Sequence, residues 1–192
     1  MNVKQPLKFF ISFCNQFVFY RVLLYEGGEN MPQRNLRKND VIETIFNRNY
    51  KTVYRIAYLR TANTHDAEDI MQEVFFRFVK NNPEFENLEH EKAWFIKTTI
   101  NRTNSFFTSA WKRRTVSLED DIPFSEQTYD NSIFEAVMSL PKDISTAIHL
   151  HYYENMPVKD ISKAMDKSES AVKSLLFRGR KILKISLSDT DD

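Results

Sequence analysis

Residues 168–183 of the chain read SESAVKSLLFRGRKIL, and residues 156–167 before them read MPVKDISKAMDK. Apolar side chains recur in both segments at helical spacing, which predicts two short amphipathic helices. The residues expected on their buried faces are Val158, Ile161, Met165, Val172, Leu175, Leu176, Gly179 and Leu183. Between the helices, Asp166 is one of the few non-glycine residues that tolerate left-handed backbone angles. The pattern therefore predicts a helix-turn-helix.

The second helix of this pair has the features of a DNA-recognition helix. Ser168 is a natural N-cap, and Glu169 in the first turn suits the positive end of the helix dipole. The residues expected on or beside its outward face are Ser170, Lys173, Ser174, Phe177 and Arg178. A major groove admits such a helix and offers acceptors to lysine and arginine.

The order of residues 172–183, together with Leu140-Pro141 upstream, resembles region 4 of bacterial RNA polymerase sigma factors of the extracytoplasmic-function (ECF) group. Ser162 stands where that family usually has alanine, and Asp166 stands where glycine or asparagine is common. Neither residue breaks the turn chemistry. The resemblance implies contacts to the duplex minus-thirty-five element by Ser170, Lys173, Ser174, Phe177, Arg178 and Lys181.

A second amphipathic segment, residues 65–80, reads HDAEDIMQEVFFRFVK. Its predicted apolar stripe consists of Ala67, Ile70, Met71, Val74, Phe75 and Phe78. Taken alone, the charged side would be an ordinary solvated helix face. The order Asp-Ala-Glu-Asp-Ile-x-Gln-Glu-x-Phe resembles the helix in sigma region 2 that binds core polymerase. The resemblance implies that the clamp helices of the largest polymerase subunit contact Asp69, Gln72, Glu73 and Phe76.

A third segment, residues 93–114, combines aromatic residues with a basic end that lacks acidic residues. This mixture suits the binding of single-stranded DNA, because the protein surface must supply cations for the phosphates and aromatic faces on which the bases stack. Aromatic and apolar residues at helical spacing are usually buried, so Trp94, Ile100 and Phe107 are expected in the core. Ser105 stands where the sigma family usually has aspartate. The resemblance implies minus-ten DNA contacts by Asn101, Arg102, Lys112, Arg113 and Arg114.

The low glycine and proline content, three and six of 192 residues, and the helical periodicity favour an all-α fold. The first helix is predicted from about Asp40 to Arg60, with Ile42, Ile45, Phe46, Val53, Tyr54 and Ala57 facing inward. We expect two small helical domains joined by a flexible linker. The expected boundaries are 1–36 for an N-terminal extension, 40–114 for sigma region 2, 115–132 for the linker, 133–185 for the region 4 helix-turn-helix and 186–192 for a tail.

The first thirty residues fit neither domain. Residues 7–20 are strongly aromatic, but the apolar run is interrupted and short for a membrane span. Residues 27–31, Gly-Gly-Glu-Asn-Met, are what a ribosome-binding sequence would encode if it were translated in frame before a start at Met31. We therefore expect translation to begin at Met31, which mass spectrometry of the native protein would test.

The sequence contains no recognisable catalytic or metal centre. Cys14 is the only cysteine, and His149 and His151 are two residues apart, on different faces of a helix. No glycine-rich phosphate loop or nucleophile with its base is evident. The net charge is only +1, with basic and acidic segments separated along the chain. We therefore expect no enzyme activity, cofactor, metal or small-molecule substrate.

The resemblance as a whole implies a cytoplasmic ECF sigma factor. Its expected partners are core RNA polymerase, promoter DNA as duplex and as melted strand, and an anti-sigma factor. The alternative is a helix-turn-helix regulator that acts without binding polymerase. The acidic helix around Asp69 distinguishes the two hypotheses, because only a sigma factor would use it to bind polymerase. A DNA-modifying enzyme would need a metal or nucleophile site that the sequence does not reveal.

Overall fold

The computed structural model of the protein describes residues 33–110 and 131–188, with side chains over 41–108 and 133–187. All regular structure in these ranges is helical, as the sequence predicts. The helices are α1 (Gln33–Thr61), α2 (Thr64–Asn81), α3 (Leu88–Ala110), α4 (Asn131–Met138), α5 (Lys142–Tyr152), α6 (Val158–Met165) and α7 (Glu169–Ser188). We call α1–α3 the N-terminal bundle and α4–α7 the C-terminal bundle. The expected linker and N-terminal extension, including Met31, fall largely outside the described residues, so those expectations stay predictions.

Helix α1 begins at Gln33, seven residues before the predicted start at Asp40. The intervening residues contain no glycine or proline that would prevent a helix, although they lack the apolar periodicity that marked the later part. Most of the inward-facing prediction is confirmed: Ile42 is partly buried, and the others are buried. Helix α1 ends at Thr61, and the Asn63 side chain caps α2 by accepting from the backbone N–H of Asp66 at 2.8 Å.

The core of the N-terminal bundle is rich in aromatic rings. All six residues predicted for the apolar stripe of α2 are buried. Phe75 lies at its centre, with ring centroids 4.6 Å from Phe46 and 5.1 Å from Phe95. Phe78 continues the cluster at 5.3 Å from Phe95. Such tilted ring pairs stabilise beyond their buried area, so α2 has one firmly fixed face and leaves the opposite face for solvent.

The core of the C-terminal bundle is aliphatic and closely packed. Ile161, Val172 and Leu150 are fully buried, and Gly179 of α7 lies against α5. A Cβ atom at Gly179 would come within 2.7 Å of Ile148 and 2.9 Å of Ile144. Because only a residue without a side chain fits at this distance, Gly179 allows α7 to pack closely on its supporting helix.

The two bundles pack directly against each other, which the sequence did not predict. Ile56 and Leu59 of α1 and Ile96 and Ile100 of α3 belong to the same apolar cluster as the core of the C-terminal bundle. Helix α1 contacts α5, and α3 contacts α6. The described residues therefore form one packed body.

Candidate nucleic-acid interface

The turn between α6 and α7 has the predicted geometry. Asp166 adopts the left-handed conformation, with φ 53° and ψ 49°. The carbonyl of Ser162 accepts a hydrogen bond from the backbone N–H of Lys167 at 2.9 Å. Ser168 caps α7, since its hydroxyl accepts from the backbone N–H of Ala171 at 3.2 Å. These contacts fix the angle at which α7 leaves the turn and confirm the helix-turn-helix prediction.

The outward face of α7 is open to solvent. Phe177 is 64% exposed, an unusual position for a large apolar ring. Arg178 donates to the carbonyl of Ser174 at 3.4 Å and lies along the helix. Lys173, Arg178 and Lys181 form no ion pair with another described side chain. The structure thus exposes all the residues that sequence reasoning assigned to this face: Ser170, Lys173, Ser174, Phe177, Arg178 and Lys181.

The residues assigned to polymerase binding lie along one edge of α2. Asp69 is exposed, and Gln72, Glu73 and Phe76 are partly buried. Their spacing of three, one and three residues places them side by side on a helix. Phe75, next to this edge, points into the core. The structure therefore brings the four residues together on one continuous surface.

The N-terminal turn of α2 concentrates negative charge beside this edge. Burial raises the pKa of Asp66 and of Glu68; the charge of His65 lowers both pKa values, and the charge of Asp69 raises them. Because the charge of Asp69 acts on both of these groups, the three carboxylates lie close together. The surface around Asp69 is accordingly acidic and suits a basic partner surface.

Sequence reasoning missed an ion pair that joins two of the predicted sites. Glu73 accepts from Arg77 on the same helix at 2.9 Å, and its other carboxylate oxygen is paired with Arg102 of α3. Arg102 was assigned to minus-ten DNA, whereas Glu73 was assigned to polymerase. Periodicity places each residue on its own helix face, but it does not reveal a contact between two helices.

The described part of the surface predicted for minus-ten DNA lies on α3. Asn101 and Ser105 are exposed, and the Ser105 hydroxyl donates to the carbonyl of Asn101 at 3.0 Å. Lys112, Arg113 and Arg114 lie outside the described residues, so their assignment stays a prediction. The expected burial is confirmed for Ile100, which is 2% exposed. Trp94 and Phe107 are only partly buried.

Within the described residues, no group of three histidine, cysteine, aspartate or glutamate side chains could hold a metal ion. His149 is buried and stacks on Tyr153, with its Nε2 atom 3.4 Å from a carboxylate oxygen of Glu154. His151 turns elsewhere, with Nδ1 3.1 Å from the carbonyl oxygen of Met156. No helix in the described ranges is long and apolar enough to cross a membrane.

Comparison with known proteins identifies both halves of the chain. Residues 45–113 match the family described as Sigma-70 region 2, and residues 130–183 match Sigma-70, region 4. The RNA polymerase sigma factor SigV of Bacillus subtilis is 30% identical over 143 residues, which cover 72% of this chain and 86% of that protein. The ECF RNA polymerase sigma factor SigM of the same organism is 28% identical over 155 residues, covering 74% and 93%.

The fold is also similar to a solved structure. The co-crystal structure of the sigma factor RpoE with the anti-sigma factor NepR from Bartonella quintana aligns with a TM-score of 0.54 at 17% identity. The alignment covers 82% of this chain and 98% of the other. Because the chain contains both matched regions in this order and is similar to SigV, it belongs to the sigma-70 family and is an RNA polymerase sigma factor of the ECF group.

Proposed function

We propose that the N-terminal bundle docks on core RNA polymerase through the acidic edge of α2. Asp69, Gln72 and Glu73 supply charge and hydrogen-bonding groups, and the partly buried Phe76 supplies an apolar contact. Their position on one helix, backed by the aromatic core, gives a surface that needs little rearrangement to bind. A preformed surface loses less conformational entropy on association.

The minus-ten element, once melted, binds beside this edge. Asn101 and Arg102 begin the surface on α3, and Lys112, Arg113 and Arg114 would continue it along the chain. Single-stranded DNA binding requires cations that follow the phosphates and side chains that accept unstacked bases. The basic run that follows α3 meets the first requirement, and the aromatic and amide side chains of α3 meet the second.

The duplex minus-thirty-five element binds the outward face of α7. The observation that carries this assignment is the exposed row of basic, hydroxyl and aromatic side chains, with no ion pair to another described residue. Lysine and arginine can donate to base edges and phosphates, while Phe177 can make apolar contact with a thymine methyl group. The close packing at Gly179 holds this face rigid.

The chain acts by binding, without a cofactor, metal or catalytic step of its own, and it works in the cytoplasm where the polymerase is. An anti-sigma factor is a further partner in this proposal. Support comes from the sigma factor RpoE of similar fold, which was solved bound to the anti-sigma factor NepR.

The decisive test is binding of the full chain to purified core polymerase. Asp69→Ala and Glu73→Ala should each weaken binding by about tenfold, since each removes a charged contact at an interface. Glu89→Ala, which removes an exposed carboxylate from α3, is the matched control and should bind like the original chain. If both α2 variants bind polymerase with unchanged affinity, the acidic edge of α2 is not the polymerase-binding surface.

A further inference from the structure

The first turn of α3 is joined to α1 by a buried carboxylate. Glu91 is 5% exposed, and it accepts hydrogen bonds from two atoms of Arg48, Nε at 3.1 Å and Nη2 at 2.7 Å. The side-chain amide of Asn49 donates to the same carboxylate at 2.6 Å and to the carbonyl of Ile45 at 2.9 Å. We call Arg48, Asn49 and Glu91 the Glu91 cluster. Three donated hydrogen bonds therefore satisfy one carboxylate inside the N-terminal bundle.

The contribution of the Glu91 cluster is orientation more than stability. Phe95, one turn after Glu91, belongs to the aromatic core, as does Ile45 on α1. Burying a charged pair costs much of the free energy that the pairing returns, and apolar replacements of similar size are often equally stable. The planar guanidinium and the amide, in contrast, hold the carboxylate in one direction. The cluster thus fixes how the first turn of α3 is rotated about the helix axis.

One row of side chains along α3 depends on that rotation. His90, Trp94 and Asn101 follow one another at spacings of four and seven residues, which places them on one side of the helix. His90 and Asn101 are exposed, and Trp94 is partly buried. We call these three residues the α3 row. Because Asn101 belongs to the surface proposed for the melted minus-ten strand, the α3 row continues that surface towards the start of the helix.

The loop before α3 is held by the same turn. The backbone N–H of His90 donates to the side-chain oxygen of Asn87 at 2.8 Å, and Nδ1 of His90 accepts from the backbone N–H of Glu86 at 3.4 Å. The ring of Phe85 lies 5.8 Å from the ring of His90 and 6.0 Å from the ring of Trp94. Since these contacts begin at the first turn of α3, a rotation of that turn would change the aromatic surface.

We propose that the Glu91 cluster is a positioning site for promoter recognition, which fixes the rotation of α3 so that the α3 row meets unstacked bases of the minus-ten element. The inference rests on the proposed function, because that function places melted DNA on α3. Arg48 and Glu91 act through the helix and are positioning residues. Binding groups have to be held within about 0.5 Å of their productive geometry, so loss of the cluster lowers base preference more than stability.

The test replaces the charged pair by apolar side chains of similar length. Arg48→Met/Glu91→Met removes both charges together, so that neither is left unpaired in the bundle. The double variant should unfold within a few degrees of the unmodified chain and bind core polymerase with unchanged affinity. Glu89→Gln, at an exposed carboxylate of the same turn, is the matched control.

The main measurement is a ratio of two affinities, made on the complex of the full chain with core polymerase. One probe is a single strand that carries the minus-ten element of a promoter transcribed by the unmodified chain, and the other is a scrambled strand of the same composition. The ratio should fall about tenfold in the double variant, the discrimination that contact with one base provides. It should not change in Glu89→Gln.

Trp94 fluorescence reports the orientation of the α3 row in the free chain. Trp94 is the remaining tryptophan in a Trp111→Phe background. Acrylamide should quench it more strongly in the double variant, because the partly buried ring is no longer held in one orientation. Glu89→Gln should show the quenching of the unmodified chain.

A folded double variant that keeps the affinity ratio would overturn the positioning role. A ratio that falls only together with the unfolding temperature and polymerase affinity would also overturn it, since the cluster would then be structural. If the double variant does not fold, Arg48→Lys decides by the same ratio, because lysine at this 42% exposed side chain keeps the charge and loses the paired hydrogen bonds. If the unmodified complex prefers neither strand, the proposed function of α3 is wrong, and Trp94 quenching still decides whether the cluster orients the row.

Discussion

The two surfaces proposed to meet DNA differ in how their charges are balanced. On α7, the basic residues Lys173 and Arg178 have no ion pair with another described residue. On α3, Arg102 is already paired with Glu73 of α2, which also holds Arg77. Ligand binding at α7 only adds contacts, whereas binding at α3 has to exchange an existing internal pair for a new one.

The pair between Glu73 and Arg102 explains how polymerase binding and single-stranded DNA binding can depend on each other. Because Glu73 belongs to the proposed polymerase edge, polymerase and melted DNA would draw the two members of the same pair apart. Partly exposed ion pairs contribute little stability by themselves, so the exchange is energetically easy. In the proposed function, the N-terminal surface therefore binds its two partners together, and the α7 surface binds duplex by itself.

The largest expected effect distinguishes the buried face of α2 from its proposed polymerase-binding edge, by comparing how substitutions on each face change stability. Phe75→Ala should lower the free energy of unfolding by about 3–5 kcal/mol, because it leaves a cavity among aromatic rings. Phe76→Ala removes a partly buried neighbour and should cost less stability while weakening polymerase binding. Denaturant unfolding and polymerase affinity, measured on both variants, check the contrast. Equal loss of stability in the two variants would contradict the assigned faces.

The next effect concerns the paired charges between the bundles. Burial would raise the pKa of Glu154, but hydrogen bonds and charges from His149 and Lys92 outweigh it and lower the pKa from 4.5 to about 2. Since each pKa unit is worth 1.36 kcal/mol, this corresponds to up to about 3 kcal/mol. The stability is present above about pH 4.5 and is lost as the pH falls towards 2.

The measurement is thermal unfolding between pH 5 and pH 2. Glu154→Gln should be less stable at pH 5 and should show a shallower loss on acidification. Glu169→Gln, which changes an exposed carboxylate of α7, should keep the steep dependence of the unmodified chain. If the pH dependence of thermal unfolding is the same in Glu154→Gln as in the unmodified chain, the Glu154 pair does not cause the loss of stability in acid.

On the outward face of α7, substitutions of Lys173 and Arg178 distinguish side chains that contact base edges from those that contact phosphates. Arg178→Ala or Lys173→Ala should cost about 1–3 kcal/mol on the preferred duplex and relax specificity if the side chain reaches a base edge. A phosphate contact should instead weaken all duplexes alike and reduce the salt dependence. Titration of the full-length variants with matched and scrambled duplexes at two salt concentrations distinguishes the roles. Unchanged binding in both variants would exclude this face.

The smallest effect tests the internal pair. Glu73→Gln should release Arg102 and strengthen binding of the free chain to minus-ten single strands by about 0.5–1 kcal/mol, the value of a partly exposed pair. The same variant should bind polymerase more weakly. Asp69→Asn, which lies on the same edge, is the control and should leave single-strand affinity unchanged. A loss of affinity in Glu73→Gln would show that the pair supports the DNA surface instead of masking it.

Periodicity predicted the features that depend on one helix at a time. The buried stripe of α2, the left-handed Asp166, the Ser168 cap and the exposed Phe177 all follow from local spacing and backbone preference. Contacts between two helices could not be predicted from local spacing. Arg60 is a clear case, because arginine is rarely buried and nothing local reveals partners 43 to 86 residues away.

The account rests most directly on start-site selection by the purified chain. Run-off transcription should combine purified core polymerase, a library of genomic promoter fragments and the full chain without any inhibitor. We expect discrete transcripts that require the chain, that share two upstream elements and that disappear with Asp69→Ala/Glu73→Ala. Transcripts that are the same with and without the chain would contradict the central claim.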